Sequence, residues 1–112
     1  MTPDEARRLA LALPEAVEQD HQGFPSFRVR GRIFATLPDD AALRVMIDED
    51  AVEEAVAAAP AQVSVLRWGA RVAGVAVHLA AADGDTVADL LADAWRRRAP
   101  VRLRRAFDGQ SE

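Results

Sequence analysis

Residues 26–47 alternate apolar and polar side chains through three segments separated only by turn-sized gaps. The first is Ser26-Phe27-Arg28-Val29-Arg30, the second Ile33-Phe34-Ala35-Thr36-Leu37, the third Leu43-Arg44-Val45-Met46-Ile47. A period of two is the signature of a strand with one buried face. Gaps this short cannot hold a crossover, so consecutive strands must pair antiparallel. Gly31-Arg32 in the first gap reads as a type II′ turn with glycine first. That register sets Arg30 opposite Ile33, Val29 opposite Phe34 and Arg28 opposite Ala35. One face then carries Phe27, Val29, Phe34 and Thr36, and the other Arg28, Arg30, Ile33 and Ala35.

Helical patterns flank this block. Thr2-Pro3-Asp4-Glu5 is a capping box with proline at the first helical position, and Ala6, Leu9, Ala10 and Leu13 follow on one face. Asp48 caps a second helix with Val52, Ala55, Val56 and Ala59 on its apolar side. Asp83-Gly84-Asp85 opens a third, whose stripe is Val87, Leu90, Leu91, Ala94 and Trp95. Pro14, Pro60 and Pro100 stop the three helices, and an arginine-rich tail follows the last. Residues 15–22 are acidic and read either as loop or as a short edge strand. Val63 and Val65 start another strand, residues 67–71 form a loop holding Trp68 and Gly69, and Val75, Val77 and Leu79 mark the final strand.

The result is an α+β protein: a single domain over 1–112, its antiparallel β-sheet packed by helices on one face and open and basic on the other. Phe27, Val29, Phe34, Val45, Val77, Leu91 and Trp95 are the expected core. The chain has 112 residues, enough for one such domain.

Residue usage removes several chemistries. Cysteine, lysine and tyrosine are absent, so thiolate nucleophiles, Schiff-base lysines and phosphate-loop lysines are impossible. Ser26, Ser64 and Ser111 sit in no nucleophile-elbow context. His21 beside Asp20 is at most a partial metal site, since ligands come in closely spaced sets. No catalytic residue, metal ligand or cofactor is expected, and the chain reads as a non-enzymatic binding protein. The acidic start Met1-Thr2-Pro3-Asp4-Glu5 is unlike a signal peptide, and no apolar run reaches the roughly 18 residues of a membrane span. A cytoplasmic protein without membrane contact is the expectation.

The chain also resembles the MmcQ/YjbR family over nearly its whole length. The resemblance is carried by Leu11-Ala12-Leu13-Pro14-Glu15, by the run Gly23-Phe24-Pro25-Ser26-Phe27-Arg28-Val29-Arg30-Gly31-Arg32-Ile33-Phe34-Ala35, and by Leu90-Leu91-Ala92-Asp93-Ala94-Trp95-Arg96 with Ala99-Pro100 and Arg102-Leu103. It implies an antiparallel α+β fold similar to the frataxin-like architecture, and a family label of DNA-binding. The family's Gly-Trp-Val entering the last strand reads Ala73-Gly74-Val75 here, with Trp68 upstream as a partial substitute.

The net charge of −4 speaks against a generic nucleic-acid binder. The distribution speaks for one face. The predicted open face holds Arg28, Arg30, Ile33, Ala35, Arg44, Met46, Ala76 and His78, with no acid. Trp68, between Arg67 and Arg71, is a candidate for stacking on a base. Arg102, Arg104 and Arg105 in the tail are candidates for phosphate contact, beside a plain role in solvating a helix end. The expected ligand is nucleic acid, bound weakly and with salt dependence. The alternatives are a small anionic ligand or acidic protein partner on the same surface, and a metal-binding frataxin-like protein using acidic helices. Base specificity should be weak, because Gln19, Gln22, Gln62 and Gln110 are expected off this face.

Overall fold

The computed structural model describes residues 1–109, so Gln110 and Ser111 lie outside the described residues. The capping box forms as expected. Thr2 Oγ1 accepts the Glu5 N–H and the Glu5 carboxylate accepts the Thr2 N–H, which starts α1 (Pro3–Leu11). Four strands follow: β1 (Val17–His21), β2 (Phe24–Val29), β3 (Arg32–Thr36) and β4 (Ala42–Val45). Asp48 accepts the Ala51 N–H and begins α2 (Glu49–Ala58). Then come β5 (Val63–Trp68), β6 (Arg71–His78), a 3-10 turn at Leu79–Ala81, α3 (Gly84–Arg98) and α4 (Val101–Gly109).

All six strands form one antiparallel sheet in the order β1-β2-β3-β4-β6-β5. Helices α1, α2 and α3 pack on one side of it. The core between the layers holds every residue expected there: Phe27, Val29, Phe34, Val45, Val77, Leu91 and Trp95 are all fully buried in one cluster.

The register of the first hairpin differs from expectation. The turn residues are Arg30 and Gly31, both left-handed at φ 50° and 78°, and Val29 pairs with Arg32. That is the type I′ geometry, whose twist matches the strands. It puts Arg30 in the turn, not on the strand. A bulge then shifts the pairing from Arg28–Ile33 to Phe27–Ala35, leaving Phe34 as the extra residue. Phe34 and Ala35 therefore both enter the core, while Thr36, paired with Ser26, turns to the opposite side. The expected places of Ala35 and Thr36 are exchanged.

Two further corrections concern the ends of elements. Trp68 closes β5 opposite Arg71, so the loop between the last strands is only a two-residue turn with Gly69 at φ 64°. The arginine-rich tail is not a tail but α4. Pro100 stops α3 and its carbonyl then accepts the Arg104 N–H at 3.0 Å, opening the new helix. Leu103 and Phe107, four residues apart, pack α4 back on the core.

Candidate functional site

Strand pairing fixes which side chains share the face away from the helices, because residues directly opposite each other point the same way. From β1 to β5 these are Val17, Gln19 and His21; Phe24, Ser26 and Arg28; Ile33 and Thr36; Ala42 and Arg44; Arg71, Ala76 and His78; Ser64, Leu66 and Trp68. None is acidic. The acids of β1, Glu18 and Asp20, fall on the helix side, where Glu18 accepts from Arg7 of α1 at 2.9 Å. A chain of net charge −4 thus has an acid-free sheet face. Gln19, expected elsewhere, belongs to this face through its pairing with Ser26.

The expected site residues divide into two groups. Arg28, Arg44 and Trp68 share the open face, with His78 at its far end. Arg28 Nε donates to Ser26 Oγ at 3.0 Å, and that hydroxyl donates to the Gln19 carbonyl at 2.8 Å. Trp68 is 50% exposed, with the Arg71 guanidinium 5.9 Å from its ring centre. His78 Nε2 and Ser64 Oγ stand 3.2 Å apart.

The other group is occupied or elsewhere. Arg30 makes two bonds to Glu15, at 2.7 and 3.1 Å. Those bonds hold the Glu15 carboxyl below its usual range and push the Arg30 guanidinium up. Arg30 is therefore already paired with a carboxylate where it stands. Arg102 and Arg105 are exposed on α4. Arg104 borders a cavity with Asp48, Asp93, Arg96 and Arg97, between helices and with carboxylates in its wall.

Sequence reading placed Ile33, Arg44, Met46 and Trp68 at the open face but missed His21, Phe24, Thr36 and Arg98, which join them in a cleft. This cleft of about 110 Å³ opens on that face, lined by His21, Phe24, Ile33, Thr36, Arg44, Met46, Trp68 and Arg98. His21 and Phe24 meet edge to face at 5.4 Å. Thr36 Oγ1 is shielded from solvent and has no hydrogen-bond partner among the described residues. Arg98 comes from the end of α3 and donates to the Ile33 carbonyl at 3.2 Å. Burial first, and then the charges of Arg97, Arg32 and Arg71, press its pKa downward. The only hint in the sequence was the run Arg96-Arg97-Arg98, which spreads around a helix end. Among the described residues, Arg28, Arg44, Arg71 and Arg98 form no ion pair. A separate cavity of about 340 Å³ between α2 and α3 is walled by Glu54, Asp89, Asp93 and alanines, the wrong charge for an anion.

Among the described residues, no three His, Asp or Glu side chains converge as a metal site. No helix among them is long and apolar enough to cross a membrane. No curated protein and no solved structure matches the chain. The sequence profile of the YjbR family matches residues 11–97, from the end of α1 through all six strands and nearly to the end of α3. The acid-free sheet, its cleft and the helix end that supplies Arg98 are thus built almost wholly from matched residues, and the chain belongs to the YjbR family.

Proposed function

We propose that this protein is a non-enzymatic binder of single-stranded nucleic acid, using the open face of its sheet. The observation that carries the reading is the segregation of charge: arginines without ion pairs, and no acid, on one face of an acidic domain. Phosphates are drawn to such a face by counterion release. Exposed Trp68 and the ring pair His21–Phe24 offer flat surfaces for unstacked bases. A single strand suits this surface better than a duplex, since among the described residues no helix projects from this face to enter a groove. The Ser64–His78 contact is exposed and, among the described residues, has no carboxylate bonded to the imidazole, so it supports a polar surface contact more than a nucleophile.

The test is a salt titration with a short oligonucleotide, single- and double-stranded. Contacts from Arg28, Arg44, Arg71 and Arg98 should give a log–log slope of about −3 on single strands. Arg44→Ala should weaken binding for every sequence and flatten the slope by about one. If neither nucleic acid binds at low salt, the reading fails, and a small anion or an acidic protein becomes the ligand to seek.

A further inference from the structure

The cleft on the open face does not end at Trp68. A second cavity, about 300 Å³, adjoins it and is lined by Met46, Trp68, Arg71, Arg97 and Arg98, with Val72 and Ala73. Met46, Trp68 and Arg98 line both. The two compartments differ in chemistry. The smaller has apolar and aromatic walls from Phe24, Ile33, Met46 and Trp68. Its volume of about 110 Å³ admits the edge of a base and not a whole drug-sized molecule. The larger has three guanidinium groups and no carboxylate.

We infer that these joined cavities form a subsite for one nucleotide, its base edge in the smaller compartment and its phosphate among Arg71, Arg97 and Arg98. This rests on the nucleic-acid reading of the sheet face and narrows it. Two features beyond shape support it. Arg44 and Arg98 can only donate hydrogen bonds, and Thr36 adds an unpartnered hydroxyl at the floor. A base edge rich in acceptors fits that set, and the O6 and N7 of guanine form such an edge. At the other end, Arg98 is crowded by the like charges of Arg97, Arg32 and Arg71 with no acid to offset them. A phosphate placed there removes the repulsion and accepts charge-assisted bonds.

The experiment is a calorimetric titration of the full chain with 5′-GMP, 5′-CMP, guanosine and inorganic phosphate, with Trp fluorescence read in parallel. The expected result is that 5′-GMP binds about tenfold more tightly than either guanosine or phosphate. It should also exceed 5′-CMP and change the Trp68 signal. Thr36→Val should raise the melting temperature, since it removes an unsatisfied buried hydroxyl, while weakening 5′-GMP by about fivefold. Arg71→Ala should weaken 5′-GMP and leave guanosine unchanged. A 5′-phosphorylated tetranucleotide separates the sources: tighter binding than 5′-GMP assigns the subsite to strand ends, and equal binding assigns it to free nucleotide. Should 5′-GMP bind no better than phosphate, or bind Thr36→Val and Arg71→Ala as well as wild type, the subsite is wrong. If the oligonucleotide still binds in that case, only the subsite is lost. If it does not bind either, the sheet-face reading falls too.

Discussion

Gly74→Ala should destabilise this protein by about 3–5 kcal/mol, a large part of the stability of a domain of this size. Gly74 lies in β6 where β4 comes closest. A Cβ built there would overlap the Val45 carbonyl oxygen and stand 3.1 Å from the Met46 Cα. Both are backbone atoms, of β4 and of the residue directly after it, and β4 is gripped between β3 and β6, so neither can swing aside as a long side chain would. The methyl group must push β4 and β6 apart, disturbing the Val45–Val75 and Arg44–Ala76 pairs. Urea denaturation of the variant measures the loss directly. A cost under about 1 kcal/mol would mean that the two strands are less closely apposed than described. The same geometry leaves no room at Gly74 for any larger side chain, and the exposed aromatic side chain at this end of the open face is Trp68.

Trp95→Ala should cost about 3–5 kcal/mol. Trp95 is fully buried on α3 and joins three parts of the chain. Its indole N–H donates to the Pro14 carbonyl at 2.9 Å, which ties the end of the first helical segment to the third helix. Its ring meets Phe107 of α4 at 4.9 Å between centres. Alanine would leave a cavity, an unpaired carbonyl and no ring against Phe107. Trp95→Phe separates these effects. It keeps most of the apolar contact and loses the hydrogen bond, so about 1–3 kcal/mol is expected. Thermal or urea unfolding of both variants is the check. A Phe variant as unstable as the Ala variant would show that the bond to Pro14, and not ring packing, dominates.

The strands, the core and the helix starts were legible because each leaves a local mark. Phe27 and Val29 alternate with polar neighbours, and Thr2, Asp48 and Asp83 cap the helices they precede. The hairpin register was not legible. Gly31 fits either turn position, and the choice of Arg30-Gly31 depends on Arg30 accepting a left-handed backbone while bonded to Glu15, itself at φ 57°. Nor does a bulge at Phe34 show in an alternating pattern; it follows from how β3 must bend to keep both Phe34 and Ala35 in the core. Helix α4 was hidden by its arginines, which drew attention from the Leu103–Phe107 spacing. The cleft was invisible for a different reason. His21, Thr36, Met46, Trp68 and Arg98 come from five elements or their flanks, and only the twist of the sheet and the end of α3 bring them together.

The two tryptophans supply the most direct test of the sheet face as the binding surface. Their indole N–H groups give separate signals in a proton–nitrogen correlation spectrum. Trp68 is half exposed on the open face, and Trp95 is sealed in the core with its N–H bonded to Pro14. On adding a short single-stranded oligonucleotide at low salt, the Trp68 indole signal should shift, together with the backbone signals of Arg28, Thr36 and Arg44. The Trp95 signal should stay in place. An unmoved Trp68 signal with shifts confined to Arg102, Arg104 and Arg105 would contradict the account and move the site to α4.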